Sequence, residues 1–189
     1  MKAKAMILSL FFKGEWHYSE GPDQTSRLVA EVVESLRGEE TGEPYFPGED
    51  AWFCLSGRRY SDAEPVPGCN LRVAINPRHG YGALVWFADD QFHRSGGVYD
   101  SVWVSNNPEP IDFNPNVVSD PGYPLFHDQA STLPTSRIRE AVEEFCRKGS
   151  GDRPECIDWV KGHVNGQRLD RPSIVEVVEE PDIDWDLLR

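Results

Sequence analysis

Residues 71–87 read LRVAINPRHGYGALVWF, and this stretch decides the fold. Apolar residues alternate through residues 71–75 and dominate residues 82–87, which is typical of β-strands. The six residues between them, NPRHGY, are rich in turn formers, and Gly80 supplies the backbone freedom that a tight turn needs. Residues 80–82, GYG, are therefore interpreted as part of a turn, and the whole stretch predicts an antiparallel β-hairpin.

The remaining elements are predicted outward from this hairpin. Further strands are predicted at residues 5–12, 51–55, 98–104 and 174–178. One helix is predicted to begin at Pro22 and end at Gly38, and a second to begin with Pro134 in its first turn and end at Gly149. Their apolar stripes consist of Leu28, Val29, Val32, Val33 and Leu36 in the first helix, and Ile138, Ala141, Val142 and Phe145 in the second. The order of elements predicts an α+β domain with a mainly antiparallel, meandering sheet and two principal helices.

The composition predicts one folded, acidic domain. The chain has 189 residues, with 19 Lys and Arg against 32 Asp and Glu, so its formal net charge is −13. A hydrophobic fraction of 39% suffices for a core, and residues 1–189 are treated as a single domain in which residues 176–189 form an acidic tail. Such a charge argues against direct nucleic-acid binding, which needs clustered Lys and Arg, and favours a basic partner.

Targeting segments are not predicted. No apolar run approaches the roughly 20 residues of a membrane span. The N-terminus resembles a signal peptide only superficially, because it runs into Lys13 without a small-residue cleavage site, so a strand is predicted there instead. The cysteines are interpreted as reduced cytosolic thiols, since a chain of this length does not need disulfides for its stability. They are Cys54, Cys69, Cys146 and Cys156.

Motifs that carry catalytic or metal chemistry are missing from the sequence. It has no His-Glu-x-x-His, no Cys-x-x-Cys, no Gly-x-Ser-x-Gly and no phosphate-binding glycine-rich loop. We therefore predict no metal and no cofactor. His79, His93 and His127 could each meet a carboxylate such as Asp89 or Asp128, which leaves a small enzyme as one alternative.

A long segment after the predicted sheet has an unusual charge pattern. Between Arg94 and Arg137 the chain has no Lys or Arg, and residues 105–134 lack periodicity and are punctuated by proline. The acids within this gap are Asp100, Glu109, Asp112, Asp120 and Asp128, and the aromatic residues of the loop are Phe113, Tyr123 and Phe126. The aromatic residues favour an ordered loop. Its acids either cap turns in a solvated loop or form an electrostatic docking surface for a basic partner.

Three stretches carry a resemblance to a known family. They are residues 80–86, GYGALVW; residues 103–110, WVSNNPEP, with residues 117–126, VVSDPGYPLF; and residues 143–155, EEFCRKGSGDRPE, continuing through Trp159 to residues 165–166. Together they resemble immunity protein family one (Imm1-type) of bacterial polymorphic toxin systems, as found in actinobacteria, over residues 71–166. The resemblance implies an α+β domain that protects a cell from the toxin encoded beside it, often a nucleic-acid deaminase. It implies binding and brings no catalytic residues.

The charge pattern and the resemblance lead to one prediction. The chain is expected to be a cytoplasmic immunity protein that neutralises a basic toxin domain by stoichiometric binding, without direct contact to nucleic acid or membrane. An acidic inhibitor can occupy the cationic groove in which such a toxin holds its substrate. The docking surface is placed on residues 105–128, and its candidate residues are Asp112, Phe113, Asp120, Tyr123 and Asp128. A small enzyme and a general acidic adaptor domain are the alternatives.

Overall fold

The computed structural model of the protein describes residues 7–38, 50–63, 68–88, 101–120 and 125–172. Its strands are β1 (Ile7–Phe12), β2 (Glu15–Ser19), β3 (Asp50–Ser56), β4 (Cys69–Asn76), β5 (Tyr81–Ala88), β6 (Ser101–Asn106), β7 (Val118–Asp120), β8 (Leu125–Phe126), β9 (Leu133–Pro134) and β10 (Asp158–Lys161). Its helices are α1 (Pro22–Gly38), a 3-10 helix (Gln129–Ser131) and α2 (Thr135–Lys148). These elements form the α+β fold that the sequence predicts.

The predicted hairpin lies at the centre of an antiparallel sheet. The strand order is β10-β6-β5-β4-β3-β1-β2, with β9 added to β5, and all neighbours are antiparallel. Gly80 closes the turn between β4 and β5 with a φ of +69°, as predicted. The interpretation of residues 80–82 as part of the turn is wrong for Gly82, which lies within β5. A Cβ atom there would come within 2.6 Å of the Ala74 carbonyl oxygen, so this glycine allows a close approach of strands.

Both predicted helices are confirmed, except that Pro134 lies in β9 and directly precedes α2 instead of lying in its first turn. They pack against each other and share one core with the central strands. The buried side chains of the helices are Val29, Val32, Val33 and Leu36 in α1, and Thr135, Ile138, Ala141, Val142, Glu144 and Phe145 in α2. Trp86 of β5 is fully buried beneath them, and Gly149 ends α2 in the left-handed conformation that glycine tolerates.

A buried carboxylate ties α2 to the chain that follows it. Glu144 is 6% exposed and accepts hydrogen bonds from the backbone N–H groups of Glu155 and Cys156, at 3.0 and 2.9 Å. The Lys148 ammonium lies 2.7 Å from the same carboxylate. Burial alone would raise the pKa of Glu144, but these hydrogen bonds together outweigh it and lower the pKa to about 2.

Two edge strands were not predicted. β2 follows β1 through a two-residue turn, Lys13-Gly14, in which both residues have positive φ. β10 pairs with β6 at the opposite edge. Both are short, and each begins and ends with a polar residue, because an edge strand needs little apolar surface. The strand predicted at residues 174–178 lies outside the described residues, as do residues 5–6 and 98–100 of two other predicted strands.

The sheet face opposite the helices is also covered. Between residues 106 and 134 the described part of the chain contains only short elements, and Val117, directly before β7, packs against Ala74 and Ala83. Gly162 lies against Val104 of β6 so closely that a Cβ atom would come within 2.3 Å of it. β4 and β5 are therefore buried on both faces.

Two further properties concern the helices and the cysteines of the described ranges. Neither helix there is both long and apolar enough to cross a bilayer. All four cysteines are free thiols, and Cys54 and Cys69 are buried. Burial raises the pKa of the Cys54 thiol to about 12, and proximity to Cys69 adds to this effect, so this thiol behaves as a small apolar side chain.

Candidate functional site

Residues 113–116 of the loop lie against the turn between β4 and β5. The Asn76 amide donates hydrogen bonds to the carbonyl oxygens of Pro115 and Asn116, at 2.8 and 3.3 Å. Nδ1 of His79 lies 2.9 Å from the same Pro115 oxygen. These contacts hold the main chain of the loop.

One aromatic residue of the loop packs on this turn beside an exposed acid. The Phe113 ring lies edge-on to His79 and Tyr81, with ring centroids 5.9 and 5.7 Å apart, and remains 42% exposed. Asp112 precedes it, is exposed, and forms no ion pair with any described residue. We call this pair the Asp112–Phe113 platform. It combines a fixed apolar surface with a solvated negative charge.

The structure places the other candidate residues elsewhere. Asp128 caps the 3-10 helix by accepting a hydrogen bond of 2.8 Å from the Ala130 N–H, which is the turn-capping role that the sequence left open. Its other carboxylate oxygen is 4.0 Å from Nε of Arg171. Asp120 ends β7, and Tyr123 lies outside the described residues. Asp112 and Phe113 are thus the candidate pair whose side chains the structure places side by side.

Arg168 is a buried cation beneath the loop that sequence reasoning missed. Its side chain is 4% exposed and forms a two-pronged ion pair with Asp170, at 2.8 and 2.7 Å. Its Nη1 donates to the side-chain oxygen of Asn106 at 3.0 Å and to the Ala130 carbonyl at 2.9 Å. The segment between Arg94 and Arg137 contains no Lys or Arg, but the folded chain places the Arg168 guanidinium against it. No motif in the sequence connects Arg168 with this loop.

A small cleft opens on the sheet face opposite the helices. Its volume is about 70 Å³, and it is lined by Trp52, Asn70, Arg72, Val85, Phe87 and Val164. The Arg72 guanidinium is 2.5 Å from the Asp50 carboxylate and 5.3 Å from the Trp52 ring centroid. The charge on Arg72 is therefore neutralised within the protein, and most of the cleft wall is aromatic or aliphatic.

The histidines give no support to the enzyme alternative. His127 is 3% exposed and faces Arg72, and His79 faces a carbonyl, so neither pairs with a carboxylate among the described residues. His93 lies outside them. A larger open cleft of about 440 Å³ is lined by Glu34, Arg37, Gly38, Pro77, Gly80, Pro134, Thr135 and Ser136, without histidine or cysteine. Within the described ranges no cluster of three His, Cys, Asp or Glu side chains could hold a metal ion.

The stability of the fold should depend on pH through His127. Burial, and then the nearby Arg72 charge, lower the pKa of His127 from 6.5 to about 3, although a hydrogen bond from the ring to the Gly166 backbone opposes this. Below pH 6.5 the His127 side chain is protonated in the unfolded chain but stays neutral in the folded protein until the pH approaches 3. The free energy of unfolding should therefore fall by about 1.4 kcal/mol per pH unit as the pH decreases from about 6 to 4.5.

Urea unfolding of the parent and His127→Gln across this range measures the effect. The variant should show a flatter dependence between pH 6 and 5. Glu144 does not account for this slope. Its folded pKa is lowered, so its stabilisation is fully present above its unfolded pKa of 4.5 and is lost only as the pH falls from there towards 2. Parallel curves for the two proteins would contradict the assignment to His127.

Comparison with known proteins identifies a family. The family model described as immunity protein Imm1 matches residues 17–161. The matched region starts well before residue 71, where the sequence motifs placed it, and so includes most of residues 1–64, in which no motif was recognised. Neither a curated protein sequence nor a solved structure matches the chain.

Proposed function

The chain belongs to the Imm1 family of immunity proteins, and on this premise we propose that it neutralises one cognate toxin by binding it in a one-to-one complex. The protein acts in the cytoplasm as a single domain, without catalysis and without a cofactor. Its partner is a basic toxin domain that acts on nucleic acid, such as a deaminase. The inhibitor covers the groove in which that toxin would hold its substrate.

The Asp112–Phe113 platform carries this proposal. A toxin groove that binds phosphate groups is lined with Lys and Arg, and an exposed carboxylate without an internal ion-pair partner is complementary to it. Phe113 adds an aromatic surface already held in place by His79 and Tyr81, so little conformational entropy is lost when it becomes buried. The net charge of −13 accelerates the encounter with a basic partner.

The docking surface proposed for this function is the loop at residues 105–128. Asp112 and Phe113 form its centre, while Asp120 and Tyr123 extend it. Asp128 is proposed at the rim, because its carboxylate already caps the 3-10 helix. Charges at the rim of an interface influence the association rate more than the final affinity.

Stoichiometry tests the proposed mechanism. The purified protein is added in increasing amounts to a fixed amount of the toxin encoded beside its gene. Toxin activity should disappear at about one molar equivalent, because each inhibitor molecule remains bound to the toxin that it blocks. Size-exclusion chromatography with mass determination should show a complex of one copy of each chain. Complete inhibition at a small fraction of one equivalent would indicate turnover and would contradict binding as the mechanism.

A further inference from the structure

The small cleft opposite the helices contains a buried polar group without a partner. Asn70 lines the cleft and is 2% exposed, and its Nδ2 atom has no hydrogen-bond partner among the described residues. A buried amide that lacks hydrogen bonds destabilises the folded state. Proteins retain such groups where function requires them.

The size of the cleft limits what can bind there. Its volume of about 70 Å³ is far below the roughly 300–1,000 Å³ of sites for small molecules and cofactors. It suits one side chain. Val164 at its wall is 58% exposed, so the cleft is accessible from the surface of the segment that follows β10.

The walls and the charge of the cleft define the chemistry of that side chain. Trp52, Val85 and Phe87 offer apolar contact to its stem, while Asn70 requires a polar end. An amide supplies an acceptor and a donor together, which match the two ends of the Asn70 amide, and the soft χ2 torsion of Asn70 lets either end turn into the cleft. A carboxylate is disfavoured by the net charge of −13 and by the pairing of Arg72 with Asp50.

We propose that this cleft receives one asparagine or glutamine side chain of the toxin, whose amide pairs with Asn70. The inference rests on the proposed function. It adds a second contact between inhibitor and toxin, on the sheet face opposite the helices. The Asp112–Phe113 platform attracts a basic surface through charge. The cleft selects one toxin through a neutral, geometrically defined contact, because a partner without this amide would leave Asn70 unpaired.

Asn70→Leu tests the role of the amide through two measurements. The substitution removes an unpartnered buried group and keeps the branched heavy-atom skeleton, and the adjoining cleft has room for the larger methyl groups, so the melting temperature should rise by a few degrees. Toxin binding, measured by surface plasmon resonance, should weaken at least tenfold. A merely structural asparagine would show the opposite pattern, with a lower melting temperature and unchanged affinity, and that result would overturn the proposal.

Access to the cleft is tested by a matched pair of substitutions. Val164→Phe enlarges a side chain at the cleft wall, whereas Leu169→Phe enlarges one that is equally exposed, at 55%, but does not line the cleft. We expect Val164→Phe to weaken binding at least tenfold and Leu169→Phe to change it less than threefold. Equal losses for both variants would assign the contact to the outer surface of this segment and overturn the proposal.

The outcome also separates this inference from the proposed function. If the parent protein forms no complex with the toxin encoded beside it, the proposed function fails. If the parent forms the complex and both Asn70→Leu and Val164→Phe bind with parental affinity, only the cleft proposal fails.

Discussion

Arg168→Met is expected to lower the free energy of unfolding by about 1.5–3 kcal/mol, the range for hydrogen bonds that involve a charged group, because its ion-pair partner Asp170 is 50% exposed and regains water when the guanidinium is removed. The guanidinium is 4% exposed and satisfies Asp170, Asn106 and the Ala130 carbonyl together. Methionine can fill the space but cannot donate a hydrogen bond. The strand end at Asn106 and the 3-10 helix would then lose one of the contacts between them, while the hydrogen bonds from Asn107 to the Ala130 and Thr132 carbonyls would remain.

Urea denaturation of three variants measures this contribution. Arg168→Lys keeps the charge but not the planar fork, so its loss of stability should be intermediate. Arg171→Met is the matched control, because Arg171 is 51% exposed and its distance of 4.0 Å from Asp128 makes a weak ion pair. Exposed ion pairs contribute about 0–1 kcal/mol to stability. A loss below about 1 kcal/mol in Arg168→Met would show that Arg168 does not hold the loop.

Asp112→Asn is expected to weaken toxin binding by about 2 kcal/mol or more, which is roughly thirtyfold, if Asp112 meets a cation in a desolvated contact. Asparagine preserves the size of the side chain and removes its charge. The melting temperature should change little, because Asp112 is exposed and forms no ion pair with a described residue. Binding kinetics measured between 0.1 and 1 M salt report the charge effect directly, since the Debye length falls from about 10 to about 3 Å over this range.

Glu31→Gln is the matched control for net charge. It removes one exposed negative charge from α1, away from the loop, and should alter only the association rate, slightly. Asp120→Asn and Asp128→Asn complete the series. Asp128→Asn should have the smaller effect on toxin affinity because Asp128 is proposed at the rim, and its folding stability should be retained because asparagine also caps helices. Equal affinities for Asp112→Asn and the parent would remove the platform from the interface.

The central elements were predictable because burial imposes a period on the sequence. Val29, Val32, Val33 and Leu36 recur at helical spacing because one side of α1 faces the core, and the same reason explains Ile138, Ala141, Val142 and Phe145 in α2. The β4–β5 hairpin combines apolar runs with a turn that Gly80 permits. In each case a local pattern within about 15 residues contains the relevant information.

The features that escaped prediction depend on contacts between distant residues. β10 becomes a strand because β6 offers it a free edge, and its own four residues carry no strand period. Arg168 lies 62 residues after Asn106 in sequence but binds it in space. The alternation in β4 also gave no sign that the polar Asn70 and Arg72 would be buried beneath later segments.

The way in which the loop at residues 105–128 is held also bears on how the protein evolves. Asn76 and His79 bind its main-chain carbonyls, and every residue type carries a backbone carbonyl, so this anchoring does not depend on the exposed side chains of the loop. Exposed positions such as Asp112 can therefore be exchanged without rebuilding the backbone that displays them. On the proposed docking surface, single substitutions here would let a lineage follow mutations in its toxin, each with little cost to folding. The scaffold and the specificity of the protein are thus free to change at different rates.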